Sequence, residues 1–287
     1  ASWEEGREPS YETQQDGQPK STDNPKAVAE EFKKYYQMLF DEKDIDQDAA
    51  DTLLTEMSKT QLEDPAMEQL EAHISAAEIQ RVMENLPLGK QAGPNRIPNA
   101  VYKYNSYVFA PKMEALLEET QRTGALPKSM LEGDVSVMYK KGDRQDPRQY
   151  RPLTMLNTDY KVFTRILAKR MRDVVHQFVS ECQKGFVPDT QISDVSMMLN
   201  MVEAYINEEN TGRKGIFLFL DMEKAFDRVS WSFLNQAMEA VGFGPKYRQS
   251  IELLYSVHKP PRRRLYVNGH YSSWFDIKSG VAQGCPL

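Results

Sequence analysis

The stretch GIFLFLDMEKAFD, at residues 215–227, decides how the rest of this 287-residue chain is interpreted. Its apolar run from Gly215 to Leu220 is unbroken but too short for a helix, so it predicts a buried β-strand that ends at Asp221. A carboxylate at the end of a buried strand points out of the core, as a hard cation such as Mg²⁺ requires of an oxygen ligand. Two other interpretations stay open here. Asp221 or Asp227 could cap the next helix, or the strand could belong to a doubly wound phosphotransfer or nucleotide-binding fold.

Helical periodicity and capping signals account for most of the chain before this stretch. Asn24 and Pro25 predict the start of an amphipathic helix whose aromatic stripe indicates core packing, and Ser75 with Glu78 forms a capping box. The predicted helices are 24–40, 48–59, 65–72, 75–86, 99–123, 158–179 and 191–208, and residues 86–98 form a Gly/Pro-rich loop.

Two hairpins are predicted, one before and one after residues 215–227. Alternating residues over 134–140 and a second run over 152–157 predict a hairpin rich in basic residues. After helices over 230–241 and 245–257, the Asn268-Gly269 pair indicates a hairpin between 262–267 and 271–277.

The charge of the chain is unevenly distributed. The net charge of −6, taken whole, argues against a nucleic-acid partner. Residues 1–73, however, carry 19 acidic and 7 basic side chains, a net charge of −12, which leaves +6 on the remainder. Residues 140–172 contain ten basic and three acidic side chains. This basic segment is either a solvated surface or a contact for an anion.

Several classes of protein are excluded by what the sequence contains. Two cysteines and four scattered histidines cannot build a disulfide framework or a four-cysteine zinc site, and they favour a reduced, intracellular environment. Neither a P-loop, a dinucleotide fingerprint nor a Gly-x-Ser-x-Gly motif is complete. No apolar run reaches membrane-spanning length, so we expect no membrane partner. A start at Ala1 and an end at Leu287 suggest a piece of a longer reading frame.

Seven colinear blocks carry a resemblance to a known family. They are Gly89-Lys-Gln-Ala-Gly93-Pro94 with Ile97-Pro98, Tyr139-Lys-Lys-Gly-Asp143, Tyr150-Arg-Pro-Leu153 with Leu156-Asn157, Asp159 and Lys161, Ile166-Leu-Ala-Lys-Arg170, Gln183-Lys-Gly-Phe186, Asp221-Met-Glu-Lys-Ala-Phe-Asp227 and Gln283-Gly-Cys-Pro-Leu287. From about Ala27 onward, the chain resembles the reverse transcriptases of non-LTR, LINE-like retrotransposons.

This resemblance implies an α+β fold, the right-hand polymerase architecture without its thumb. The implied organisation is a disordered leader (1–23), an acidic helical extension (24–86), a fingers-like region (87–212) and a partial palm (213–287) that is cut after Gln283-Gly284. Asn95-Arg96 departs from the family's Asp-Gly in the Gly/Pro-rich loop, and glycine there would permit a positive φ.

The resemblance also implies roles for individual residues. Asp221 resembles the first metal-binding carboxylate, the catalytic residue of this chain, and the Met222 carbonyl would complete the shell of a second ion. Phe226 matches the steric gate against a 2′-hydroxyl, whereas Asp227 is interpreted as structural.

Further residues are implied in nucleotide binding. Arg151, with Lys140 or Lys141, would hold the triphosphate, since Arg binds phosphate bidentately and Lys supplies a mobile charge. Gln283 and Gly284 would open a segment that contacts the dNTP and the template. The basic helix over 158–172 would face a nucleic-acid backbone.

The implied function is RNA-directed DNA polymerisation. The implied cofactors are two Mg²⁺ ions, and the implied partners are an RNA template, a DNA primer or nicked target DNA, and dNTPs. Localisation by analogy is the nucleus or the cytoplasm, without a clear import signal in the chain. Because the family's paired aspartates would follow Leu287, we expect the chain alone to be inactive. Two alternatives are a non-catalytic RNA-binding remnant and an unrelated α/β phosphotransfer protein that uses Asp221.

Overall fold

The computed structural model describes residues 11–15, 18–22, 24–207 and 216–287. Within the predicted leader, strands β1 (Tyr11–Gln15) and β2 (Gln18–Thr22) form an antiparallel pair. The other leader positions, at 1–10, 16–17 and 23, lie outside the described residues. The disorder expected of them stays a prediction.

Four helices follow, and polar side chains begin three of them. The helices are α1 (Pro25–Leu39), α2 (Gln47–Met57), α3 (Asp64–Glu71) and α4 (Ala76–Glu84). Asn24, Asp46 and Ser75 each accept a hydrogen bond from a main-chain N–H in the first turn of α1, α2 and α4. The predicted caps at Asn24 and Ser75 are therefore confirmed.

The predicted helix over 99–123 is divided in two at Asn105. Its parts are α5 (Asn99–Tyr104) and α6 (Ser106–Thr123). Asn105 has φ −121° and ψ 29°, and its side-chain amide donates to the carbonyl oxygen of Val101 at 2.9 Å. An asparagine side chain that bonds the local backbone offers it an alternative to the helical ladder, which accounts for the break.

The basic hairpin and the basic helix form where predicted, but the helix ends at Val174 instead of 179 and a 3₁₀ turn, Val175–Gln177, follows it. Their elements are α7 (Lys128–Leu131), β3 (Glu132–Tyr139), β4 (Tyr150–Leu156) and α8 (Thr158–Val174). β3 and β4 are antiparallel, with Met138 opposite Arg151.

The C-terminal part supplies three helices and three strands. They are α9 (Ile192–Asn207), α10 (Trp231–Val241), α11 (Pro245–Leu254), β5 (Arg262–Val267), β6 (His270–Tyr271) and β7 (Phe275–Asp276). The predicted second strand of the Asn268-Gly269 hairpin is thus divided into β6 and β7, both of which pair with β5. In the described parts of the chain, no helix combines the length and apolarity needed to cross a membrane.

A five-stranded sheet, in the order β4-β3-β5-β6 with β7 also on β5, organises the core. β3 and β5 run parallel, and the other pairs are antiparallel. One face of the sheet buries Val135, Leu156 and Leu265, whereas Arg151 and Tyr266 lie on the exposed face. Period-two alternation in each strand produces this division.

The N-terminal helices belong to the same hydrophobic core as the sheet. Phe32 and Tyr36 of α1 are fully buried, and Phe32 packs edge-on against Tyr150 at a ring distance of 5.0 Å. The Tyr36 hydroxyl donates to the carbonyl oxygen of Tyr150 at 3.1 Å. The predicted acidic extension is therefore packed against the strands that follow it.

The predicted buried strand over 215–220 is wrong for the residues described. Gly215 lies outside them, and residues 216–220 have no regular secondary structure and are exposed, Ile216 by 96% and Leu220 by 82%. The apolar run supplies side chains suited to a strand, but a strand also needs a neighbour for its N–H and C=O groups. None of the described strands pairs with this segment.

Candidate functional site

A cavity of about 880 Å³ lies between β4, α8 and the last residues of the chain. Four residues singled out in the sequence line it, namely Arg151, Phe226, Gln283 and Gly284. They come from three segments that lie far apart in the sequence. Tertiary structure therefore brings them together.

Strand alternation places Arg151 at the cavity. Its neighbours Tyr150 and Pro152 are buried, so the Arg151 side chain takes the opposite, exposed face of β4. The carbonyl of Tyr150 accepts from the Tyr36 hydroxyl and, at 3.3 Å, from Nζ of Lys224. These bonds fix the strand at the residue before Arg151.

The segment that contains Gln283 is held on the outer edge of β4. The Thr154 N–H donates to the carbonyl oxygen of Gln283 at 2.8 Å. Gly284 has φ 117°, and a Cβ there would lie 2.5 Å from the carbonyl oxygen of Thr154. The approach of the two backbones and the positive φ both require glycine at this position.

The turn that contains Phe226 is fixed by hydrogen bonds on both sides. It begins a single 3₁₀ turn, and the Val281 N–H donates to its carbonyl oxygen at 2.9 Å. Lys224, at φ 55°, ties the same turn to β4 through its bond to Tyr150. The Phe226 ring is half exposed and meets the Phe186 ring edge-on at 6.0 Å.

Asp227 lies buried beneath this turn. Burial raises the pKa of its carboxyl group above the ordinary value of 3.8, while Lys224 and a hydrogen bond from Gln283 act in the opposite direction. The Gln283 Nε2 group lies 3.5 Å from Asp227 Oδ1. Asp227 thus links Phe226 to Gln283 from within the protein, which supports a structural role.

The other predicted site residues lie outside the cavity wall. Asp221 and Met222 are exposed in an irregular segment, and Lys140 and Lys141 are exposed beyond the end of β3. Across the described residues, no three metal-ligating side chains lie together. Asp221 could supply one oxygen ligand, but these residues alone do not fit a site for two Mg²⁺ ions.

The Gly/Pro-rich loop packs against the end of β4. A Cβ on Gly93 would lie 2.3 Å from Oδ1 of Asn157, the atom that accepts the Asn95 N–H at 3.1 Å. Arg96 adopts φ 61°, and its Nη2 donates to the Tyr271 hydroxyl at 2.8 Å. Arg96 therefore adopts the left-handed conformation that a glycine at this position would adopt without strain.

One member of the predicted basic face of α8 is buried. Arg170 makes two bonds to the Glu78 carboxylate, at 2.6 and 3.1 Å, and also donates to main-chain carbonyls that include Leu70. Lys161 and Arg165 are half-buried, and burial lowers the pKa of both side chains. Arg170 is thus a structural residue, and the remaining cations of α8 form its basic surface.

Sequence reasoning missed Phe186 as a cavity residue. It has φ 64°, its side chain is 96% exposed, and it lines the cavity beside Phe226. It lies in the Gln183–Phe186 block, which carries part of the resemblance to the family but did not predict that Phe186 lines a cavity. Met171 of α8 and Val175, which begins the 3₁₀ turn after α8, complete the apolar wall, although their spacing indicated only a buried face.

Comparison with known proteins gives the affiliation of the chain. The family described as reverse transcriptase (RNA-dependent DNA polymerase) matches residues 139–287, from the end of β3 onward. This range contains all four residues that converge on the cavity.

Curated relatives extend the likeness toward the N-terminus. "Transposon TX1 uncharacterized 149 kDa protein" of Xenopus laevis is 27% identical over 95% of this chain and 20% of its own length. "Probable RNA-directed DNA polymerase from transposon BS" of Drosophila melanogaster is 25% identical over 75% of this chain and 23% of its own. "Retrovirus-related Pol polyprotein from type-1 retrotransposable element R2" of Bradysia coprophila is 30% identical over 78% and 24%.

The chain thus spans between a fifth and a quarter of the length of these relatives. The family match and the transposon relatives confirm the resemblance found in the sequence. The chain belongs to the reverse transcriptase family, on the branch of the LINE-like retrotransposon proteins.

Proposed function

We propose that this chain is part of an RNA-directed DNA polymerase that adds dNTPs to a DNA primer, or to a nicked target, on an RNA template. The observation that carries this proposal is the convergence of Arg151, Phe226, Gln283 and Gly284 on one cavity. Each has a side chain, or a lack of one, that suits a deoxynucleoside triphosphate.

Arg151 is proposed to hold the triphosphate. Its guanidinium lies on the exposed face of β4 at the cavity, and a planar guanidinium binds phosphate oxygens bidentately. Lys140 and Lys141, after β3 in the same hairpin, would add mobile positive charge. Cations from two positions on one hairpin would neutralise and orient the triphosphate before transfer.

Phe226 is proposed to select the sugar. The Val281 and Lys224 bonds hold the backbone that carries this ring, and a bulky apolar ring beneath the sugar would exclude a 2′-hydroxyl and offer it no hydrogen-bond partner. Gln283 and Gly284 face the same cavity, where the Gln283 amide can bond the nucleotide and Gly284 presents bare backbone.

Divalent metal ions are implied by the family. We propose that Asp221, as the catalytic carboxylate, and the carbonyl of Met222 contribute ligands to Mg²⁺, which would activate the primer hydroxyl and hold the triphosphate. The exposed position of Asp221 leaves its carboxylate accessible for this role. Across the described residues no three metal-ligating side chains lie together, so Asp221 is the one carboxylate that this proposal uses.

Arg151→Ala, made in the reading frame that encodes this chain, tests the triphosphate role by primer extension on poly(rA) with oligo(dT). We expect KM for dTTP to rise at least tenfold, since a charge-assisted phosphate contact contributes about 1.5 to 3 kcal/mol. Arg148→Ala removes an exposed arginine that does not line the cavity and is the matched control. Equal KM values for the two variants would contradict the role of Arg151.

Phe226→Val tests sugar selection in the same assay. We expect the preference for dTTP over UTP to fall by at least tenfold, whereas Phe186→Val, at the neighbouring ring, leaves that ratio within about twofold. Primer extension that persists in Asp221→Asn, and that the Arg151 and Phe226 changes do not alter, would overturn the proposal. RNA binding without any extension would instead support the non-catalytic remnant.

A further inference from the structure

The second cysteine of the chain, Cys285, lies in the wall of the cavity described above. The residue is half-buried, and its thiol donates to the hydroxyl of Tyr160 at 3.6 Å. Tyr160 belongs to α8 and is itself fully buried. Cys285 therefore lies between an open cavity and a polar group inside the protein.

A buried cation, Arg263, belongs to the same cluster. In the run Arg262–Arg264 of β5, strand alternation turns only Arg263 into the core, where it is 2% exposed. The two outer arginines each pair with an aspartate, whereas Arg263 makes no ion pair within the described residues. Its Nη1 donates to the carbonyl oxygen of Leu131 at 2.8 Å. Because buried charges are normally paired, this guanidinium is suited to a neighbouring anion.

The hydroxyl of Tyr255, directly after α11, completes the cluster. It is buried and has no hydrogen-bond partner within the described residues. Burial raises the pKa of Tyr255, and the neighbouring Cys285 raises it further. Burial lowers the pKa of Arg263, whereas its neighbours, the two tyrosines and Cys285, act in the opposite direction. Tyr255 is thus a buried donor beside the thiol that has no acceptor.

A second cation approaches the thiol from α8. Lys161 is half-buried, and burial and the charge of Arg165 lower its pKa, whereas Cys285 raises it. The thiol therefore has a cation on each of two elements, β5 and α8. Cations beside a sulfur favour the thiolate, which is the nucleophilic form, and partly exposed cysteines in such surroundings are the reactive ones.

We propose that Cys285 is a site of reversible oxidation by hydrogen peroxide, at which the sulfur becomes a sulfenic acid in the cavity wall. The thiolate attacks one peroxide oxygen, so that an S–O bond forms and the O–O bond breaks. The sulfur loses two electrons and the peroxide gains them. The departing hydroxide takes up the proton that the thiol released and leaves as water.

Tyr255 supplies the donor that this product needs. The added oxygen is an acceptor that the thiol lacks, so a buried hydroxyl without a partner gains a hydrogen bond when Cys285 is oxidised. Gln283 and Gly284 directly precede Cys285 in the same wall, so the oxidised sulfur changes the surface offered to a nucleotide. That consequence rests on the proposed function, whereas the oxidation does not.

The test treats the purified chain with hydrogen peroxide, labels sulfenic acids with dimedone and locates the label by peptide mass spectrometry. Cys182 is the internal control, because it is exposed and lines a different groove, beside Glu181 and Asp194. We expect Cys285 to be labelled at least about tenfold faster, although Cys182 is the more exposed. Dithiothreitol added before dimedone is expected to abolish the label. Equal or faster labelling of Cys182 would overturn the proposal.

Two variants separate the reactivity of the site from mere access to it. Tyr255→Phe removes a hydroxyl that has no partner, and Lys161→Gln removes a half-buried cation, and each is expected to slow labelling of Cys285 about threefold to tenfold. The matched controls are Tyr266→Phe, on the exposed face of β5, and Arg165→Gln, one turn further along α8, and both should stay within about twofold.

Circular dichroism checks that each variant is folded. Labelling of Cys285 that is unchanged in both folded Tyr255→Phe and folded Lys161→Gln would overturn the proposal. The label is measured without nucleotide, template or primer. A chain that is labelled at Cys285 but never extends a primer therefore refutes the proposed function alone, and a chain that extends primers without labelling at Cys285 refutes the oxidation alone.

Discussion

The N–H of Thr154 donates to the carbonyl oxygen of Gln283 at 2.8 Å, so the free edge of β4 is completed by a segment 129 residues further along the chain. Three residues before Thr154, the same strand carries Arg151, whose side chain lines the cavity. This main-chain bond holds the backbone of Gln283 beside the strand that carries Arg151.

Gly284→Ala is expected to break this contact. The new Cβ would lie 2.5 Å from the Thr154 carbonyl oxygen at a φ of 117°, so we expect the free energy of unfolding to fall by about 2 to 4 kcal/mol. Gly269→Ala is the control, because its φ is 80° but no atom lies within 4 Å of the added Cβ, and it should cost about 1 kcal/mol. Urea unfolding measures the free energy of unfolding of both variants. Equal losses would show that the strain of a positive φ, and not the contact with Thr154, accounts for the effect at Gly284.

Arg170→Ala is expected to destabilise the protein by about 3 to 5 kcal/mol, because it leaves the Glu78 carboxylate without its buried partner. It also removes a donor from the carbonyl oxygen of Leu70, at the end of α3. The exposed neighbour Arg172→Ala should change stability by less than about 0.5 kcal/mol. Thermal unfolding of both variants gives the comparison, and a similar small loss for both would contradict the structural role of Arg170.

Asp227→Asn is expected to stabilise the protein near neutral pH. Burial raises the pKa of Asp227 above 3.8, so between the ordinary and the raised pKa the folded state binds more protons than the unfolded state. The free energy of unfolding therefore falls as the pH rises through this range, and Asn removes that loss. Chemical unfolding at pH 4 to 7 should show the advantage of Asn growing with pH. A difference between the two proteins that stays constant over this range would show that Asp227 is not responsible.

Tyr36→Phe is expected to cost about 1 kcal/mol, because the carbonyl oxygen of Tyr150 loses a buried hydrogen bond and keeps only the Lys224 partner. Tyr35→Phe is the matched control, since its half-buried hydroxyl makes no hydrogen bond within the described residues. Guanidinium unfolding that gave the same midpoint for both variants would show that the Tyr36 bond contributes no net stability.

Local chemistry explains how far the fold could be predicted from the sequence. The caps at Asn24 and Ser75 and the turn at Asn268-Gly269 depend on neighbouring residues, and each forms where expected. The break at Asn105 was missed because a single side-chain bond to Val101 outweighs an otherwise continuous helical pattern.

Prediction was weaker where the outcome depends on distant parts of the chain. The apolar residues 216–220 carry the pattern of a strand, but the pattern does not show whether a neighbouring strand is present. Arg170 follows the charge pattern of a basic surface, and only the position of Glu78 shows that it is buried. Helical periodicity alone could not distinguish an arginine on a basic surface from one that is buried in an ion pair.

The candidate site was predictable in part, through family likeness. The blocks around Arg151, Phe226 and Gln283 lie far apart in the sequence, and their meeting at one cavity required the sheet and its completed edge. Phe186 belongs to one of the family blocks, but the sequence does not place it at the cavity, because its position depends on a positive φ that phenylalanine rarely adopts.

The packing of α1 on the strand β5 has a consequence for how the chain acquires its structure on the ribosome. Phe40, at the end of that helix, accepts main-chain bonds from Lys278 and Ser279, more than two hundred residues later. These partners are synthesised more than two hundred residues after α1, so the aromatic side chains of α1 stay uncovered on the ribosome until that length of chain has been made. Contacts between residues so far apart in the sequence slow folding, and the uncovered side chains of α1 are open to aggregation during that delay.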